Sequence, residues 1–142
     1  MEILVHSKEE MLEQATKFLH SLIPGRSATV VALSGGLGAG KTTFCQGIAR
    51  ALGVDEQVTS PTFVLQKIYL LNDQSFDRLV HMDAYRLTNA HELAALGWHE
   101  LLQDPKTLVL IEWPENVAAA IPDHAQRLSF TFIDDSTRSL SY

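Results

Sequence analysis

A single α/β domain, with a mostly parallel central sheet flanked by helices and extended by antiparallel strands, is what the sequence predicts, on three observations. Residues 28–33 form an apolar, β-branched run that leads straight into a glycine-rich loop, the pattern of a strand buried on both faces of a parallel sheet. A second buried run, 107–113, is cut by Pro114. Strand-like segments 63–71 with 79–83, and 128–133 with 138–142, are each joined by turn-forming residues. The 142 residues contain no repeat, low-complexity block or linker long enough to divide them, so one domain over 1–142 is expected.

The elements follow in order. Residues 3–5 predict a short strand. Ser7 then starts a helix, with Glu10 three residues later completing a capping-box pattern that satisfies otherwise orphaned N–H groups. Met11, Leu12, Ala15, Phe18, Leu19 and Leu22 recur at three- and four-residue steps and give that helix one apolar face, and Pro24-Gly25 stops it. Residues 41–52 have helical composition, and Gly53 stands where a left-handed cap belongs. Asn72-Asp73-Gln74-Ser75 turns the chain between two strands, and a helix is expected over about 89–96, ending at Gly97. Asp134-Asp135-Ser136-Thr137 turns the closing hairpin.

Composition narrows the function. Hydrophobic residues make up 46% and charged residues 20%, which excludes a disordered or collagen-like chain. Eleven Lys and Arg against 17 Asp and Glu give a net charge of −6, which argues against a general nucleic-acid coat. One cysteine, Cys45, allows neither an intramolecular disulfide nor a Cys-rich metal site, and is expected to be a small buried hydrophobe. With no signal-peptide pattern and no apolar run of membrane-spanning length, a soluble cytoplasmic protein with no membrane partner is expected.

Gly35-Gly36-Leu37-Gly38-Ala39-Gly40-Lys41-Thr42 matches the phosphate-binding pattern G-x-x-x-x-G-K-[ST] in full. Gly35, Gly38 and Gly40 permit backbone conformations that a Cβ forbids, turning successive N–H groups toward phosphate oxygens. The helix that follows points its positive end at the same anion. Lys41 is the expected partner of the β- and γ-phosphates, and the Thr42 hydroxyl is an expected Mg²⁺ ligand.

Such a site also needs an acid at the end of a buried strand. Two qualify, Asp83 and Glu112, and sequence order alone does not say which strand lies beside the phosphate loop. Thr59, Ser60 and Thr62, with Pro61 between them, fall where a switch-like loop would close over the γ-phosphate. Arg86 is a candidate for phosphate, for a partner's carboxylate or for pairing with Asp83. Strand alternation sends Trp113 to the face opposite Glu112, either into the core or toward a partner. The six histidines lack metal-site spacing and are expected to be solvated or core residues. No guanine-specificity element is present, which favours ATP.

Taken together, the run from Leu33 to Thr43, Thr59-Ser60-Pro61-Thr62-Phe63, His81-x-Asp83-x-Tyr85-Arg86-Leu87, Glu92-Leu93 with Gly97, and Ile111-Glu112-Trp113 resemble the bacterial TsaE (YjeE) family, in the family's order across 33–113. The resemblance implies a small Mg²⁺-dependent P-loop ATPase serving synthesis of N6-threonylcarbamoyladenosine at position 37 of tRNAs that read ANN codons. It implies that the protein acts on a TsaB–TsaD heterodimer, which holds the tRNA, and that ATP hydrolysis permits repeated turnover. Carried over by motif, Gly38, Ala39, Gly40, Lys41, Thr42 and Thr43 hold the phosphates, while Thr42 and Glu112 ligate Mg²⁺. Lys41 and Asp83 are the catalytic candidates, Asp83 by positioning water, and Thr59, Ser60 and Thr62 form the switch-like loop. The adenine pocket is expected near Ser7 and Ser136. Gly36 departs from the family, which commonly carries Asp or Glu there.

Two other classes share the phosphate loop. A small-molecule kinase needs an acceptor site and usually an arginine-bearing lid, and no insertion with clustered arginines is present. A nucleotide-binding module without useful turnover differs in rate, not in motif. A partner that supplies an arginine can accelerate a slow P-loop protein by roughly 10³–10⁵-fold.

Overall fold

A strand buried on both faces belongs inside a sheet, and β2 (Thr29–Gly35) lies there, parallel to β5 (Thr107–Glu112) on one edge and to β6 (Gln126–Asp134) on the other. This computed structural model describes residues 1–56, 58 and 66–142. The remaining described strands are β1 (Glu2–Val5), β3 (Gln66–Leu70), β4 (Arg78–Asp83) and β7 (Thr137–Ser141). The sheet order is β1-β7-β6-β2-β5-β4-β3. Its centre, from β6 through β2 and β5 to β4, is parallel, and β1, β7 and β3 add to it antiparallel.

Side chains alternate along these strands and build a core on each face. Val31 and Leu33 of β2, Leu108 and Leu110 of β5, and Leu79 of β4 pack against α1 (Lys8–Ser21) and α2 (Lys41–Ala51). Val30, Ala32, Val109, Ile111, Val80 and Met82 face the other way, onto Leu93 of α3 (His91–Ala94), Trp98 and Leu101 of α4 (Trp98–Leu102) and Val117 of a 3₁₀ segment, Pro114–Ala120. The helices α1 and α2 touch at Gly47, where an added Cβ would stand 2.6 Å from the Ala15 Cβ.

Local sequence signals explain most element ends. The Ser7 hydroxyl accepts the Glu10 N–H at 3.1 Å and the Glu10 carboxylate accepts the His6 N–H at 2.8 Å, so the cap of α1 forms as its pattern predicts. That helix ends at Ser21, short of Pro24, because Leu22 already has extended ψ. Beyond α2, Gly53 takes a φ of 82°. Of the predicted strand 63–71, residues 66–70 form β3 and 63–65 lie outside the described residues.

Within the expected helix over 89–96 the structure forms the short α3, and a second short helix, α4, follows Gly97 where none was expected. Asn89 folds its side chain onto the His91 N–H at 3.0 Å, so α3 starts only at His91. Gly97, at φ 76°, stands past the end of α3 as expected and precedes α4.

Candidate phosphate-binding site

The loop between β2 and α2 is set by its glycines. Gly40, at φ 108°, precedes Lys41 as the cap of α2, and an added Cβ there would meet the Met11 Cε at 2.7 Å. No side chain caps the α2 N-terminus, which faces a cavity of about 710 Å³. Gly38, Ala39, Gly40, Lys41, Thr42 and Thr43, the residues expected to hold the phosphates, all line that cavity. An uncapped helix start in a concave wall is a ready-made anion site.

Asp83 and Glu112 reach the same cavity. The strands β4 and β5 are parallel neighbours with Asp83 directly paired to Glu112, so both acids end side by side, 5% and 3% exposed. Glu112 sits beside the loop: β5 pairs with β2, and the Thr42 hydroxyl donates to Glu112 Oε1 at 3.4 Å. Asp83 accepts the Tyr85 N–H at 2.9 Å on Oδ1. A hydroxyl beside carboxylates is an all-oxygen donor set of the kind Mg²⁺ takes. The residues therefore fit the ion expected there.

Lys41 is turned inward. Its ammonium donates to the Gly35 carbonyl at 2.5 Å and stands 3.8 Å from the centroid of the Trp113 ring, only 5% exposed. Burial lowers its pKa from the ordinary value, an effect partly offset by Glu112, Glu115 and Asp83.

Trp113 overturns the alternation argument. Its φ of 59° and ψ of 48° end β5, and the ring swings onto Lys41 and against Tyr85, with ring centroids 5.1 Å apart. It therefore shares the cavity wall with Glu112 instead of lying opposite to it. Pro114 at the start of the 3₁₀ segment follows this break.

The far wall is made by the chain's two ends. Ser7 lines it from the start of α1 and Ser136 from the β6–β7 turn, where the adenine neighbourhood was expected. Arg138, whose part the sequence left unread, donates from Nε to the Gly38 carbonyl at 2.7 Å and lies 4.5 Å over the Phe132 ring. An arginine facing a bare loop carbonyl has no local sequence signal. Arg86 is exposed beyond β4, and Thr59, Ser60 and Thr62 lie outside the described residues.

Behind the cavity wall, Cys45, His81 and Glu112 bring donor atoms within 4.8 Å of one another, all three buried. Cys45 is a core residue as expected, and burial pushes its thiol well above the ordinary value. His81 is a core histidine whose Nε2–H donates to Glu112 Oε2 at 2.6 Å. A polar residue two positions before Asp83 in an apolar strand was the available signal, because alternation puts both on one face.

Known proteins resemble this chain along most of its length. The family model described as threonylcarbamoyl adenosine biosynthesis protein TsaE matches residues 5–140. The tRNA threonylcarbamoyladenosine biosynthesis protein TsaE of Treponema pallidum is 37% identical over 113 residues, covering 80% of each chain. That of Borreliella burgdorferi is 31% identical over 128 residues, or 89% of this chain and 88% of the relative. Among solved structures, Bacillus subtilis YdiB superposes with a TM-score of 0.78 at 28% identity, covering 99% of this chain and 82% of that one.

Proposed function

This chain belongs to the TsaE family of threonylcarbamoyladenosine biosynthesis proteins, and from that premise we propose that it binds and hydrolyses ATP with Mg²⁺ to drive repeated tRNA modification by a TsaB–TsaD heterodimer. The observation that carries the reading is the meeting of Lys41, Thr42, Asp83 and Glu112 at one cavity beside the uncapped start of α2. Residues 38–43 bind the phosphates through backbone N–H groups, with the N-terminal end of α2 behind them. Lys41 releases the Gly35 carbonyl and the Trp113 face to reach the β- and γ-phosphates. Thr42 and Glu112 would hold Mg²⁺, and the ion would supply neutralisation of the charge that develops on the phosphoryl oxygens. Asp83 orients the attacking water and accepts its proton. The wall near Ser7 and Ser136 receives the adenine. The tRNA is met through the heterodimer, which suits an acidic chain of net charge −6.

The experiment is steady-state ATP hydrolysis by the purified protein, alone and with the heterodimer. Slow turnover alone and clear stimulation by the heterodimer are expected. Unchanged turnover, with no complex formed in ATP, overturns the reading and returns attention to a small-molecule kinase and its phosphate acceptor.

A further inference from the structure

One layer behind the cavity, His81 sits on β4 with 1% of its surface exposed and takes no part in the cavity wall. It is paired in register with Leu110, so Glu112 is its diagonal neighbour on the adjacent strand, on the face that α2 covers. Its Nε2–H donates to Glu112 Oε2 at 2.6 Å, while Glu112 Oε1 takes the Thr42 hydroxyl at 3.4 Å. The two carboxylate oxygens are thus assigned to different partners, one in the core and one at the cavity.

The other ring nitrogen, Nδ1, is buried with no hydrogen-bond partner. An imidazole with an orphaned nitrogen is a costly way to fill a strand whose neighbours Leu79, Val80 and Met82 are apolar. The bond to Glu112 is what the ring gives in return. Burial raises the pKa of Cys45, at the third corner, and its thiol packs beside the His81–Glu112 hydrogen bond.

We propose that His81 is the positioning residue for Glu112, holding Oε2 so that Oε1 is presented to Thr42 and to the cation bound there. This rests on the reading of Thr42 and Glu112 as the Mg²⁺ ligands. Partners of this kind orient a metal ligand, and their loss typically costs roughly 10–100-fold in metal affinity.

The test is calorimetric titration of ADP into wild type, His81→Leu and His81→Gln, first in EDTA and then over a Mg²⁺ series. In EDTA the three proteins are expected to bind ADP alike. His81→Leu is expected to need roughly tenfold more Mg²⁺ or beyond to reach half of the Mg²⁺-dependent gain, and His81→Gln, whose amide N–H reaches a similar place, to recover most of that shift. A filled core without the bond would not be rescued by an amide. Equal Mg²⁺ dependence in wild type and His81→Leu overturns the proposal. A wild type with no Mg²⁺ gain at all overturns the cation reading itself, and the proposal with it. A measurement that needs no variant is the ¹⁵N spectrum of histidine-labelled wild type. It should show a proton on His81 Nε2, and an Nε2 without one overturns the proposal even if His81→Leu does not fold.

Discussion

Asp83 and Glu112 are direct register partners at the ends of two parallel strands, and both are buried beside Lys41. The Thr42 hydroxyl donates to Glu112, and Asp83 accepts the Tyr85 N–H, so we assign the metal to Glu112 and the water to Asp83. Glu112→Ala is expected to raise the Mg²⁺ needed for ATP hydrolysis, and Asp83→Ala to lower the rate at saturating Mg²⁺, by roughly 10²-fold or more for a lost general base. Rates measured across a Mg²⁺ series separate these effects, and the opposite pattern reverses the two assignments. Lys41→Ala and Thr42→Ala should each abolish multiple-turnover tRNA modification, and wild-type yield from either would refute the site.

The buried position of Lys41 gives the site a pH dependence. Its pKa is lowered in the folded protein, so its charge disappears at a pH below the ordinary value of 10.5. ADP affinity should fall as pH rises through that lowered value, because the phosphates lose their cation. The same shift acts on folding with the opposite sign. In the window between the folded and unfolded pKa values the unfolded chain binds more protons, so this group's contribution to stability rises with pH. Calorimetry from neutral to alkaline pH checks the first effect, and affinity that stays constant up to pH 10.5 would contradict it.

The Lys41 ammonium over the Trp113 ring makes that indole a reporter. Trp98, the second tryptophan, is buried on the other face of the sheet and donates to the Ala120 carbonyl at 3.1 Å. In a Trp98→Phe background, ADP with Mg²⁺ should change Trp113 emission as Lys41 leaves the ring. Adding Lys41→Ala should shift the emission of the free protein and remove most of the nucleotide response.

Gly47 is a packing residue far from chemistry. An added methyl would stand 2.6 Å from the Ala15 Cβ and 3.2 Å from the Leu12 Cα, forcing α1 and α2 apart. Overpacking of this kind costs about 1–3 kcal/mol, against about 1 kcal/mol gained in helix propensity. Gly47→Ala should therefore lower the urea midpoint, and Ala15→Gly combined with it should recover part of the loss.

The parts of the site that were legible in the sequence are those encoded by neighbours. The glycine motif, the Ser7 cap and the acids ending two apolar runs each depend on a few adjacent residues, and the α/β sheet followed from apolar runs beside a phosphate loop. Three features were not legible because they depend on distant contacts. Arg138 meets Gly38 only once the hairpin folds over the loop. His81 meets Glu112 only when β4 and β5 align. Trp113 leaves the strand alternation at a left-handed residue that has no glycine or asparagine to announce it. The short α4 after Gly97 was likewise not read, and its Trp98 and Leu101 are buried against distant residues of β2, β4 and β5.

The placing of β2 has a consequence for synthesis. The glycine motif emerges from the ribosome within the first third of the chain, yet both strands that flank β2 come later, β5 at 107–112 and β6 at 126–134. The hairpins β3–β4 and β6–β7 close between near neighbours, whereas β2 waits for long-range partners. A nascent chain halted before residue 126 carries the whole motif but neither the Phe130 backbone that Gly35 packs against nor the arginine that ties Gly38. Such a fragment should hold nucleotide poorly, and chains stalled at successive lengths should gain that capacity only once the last hairpin has cleared the exit tunnel.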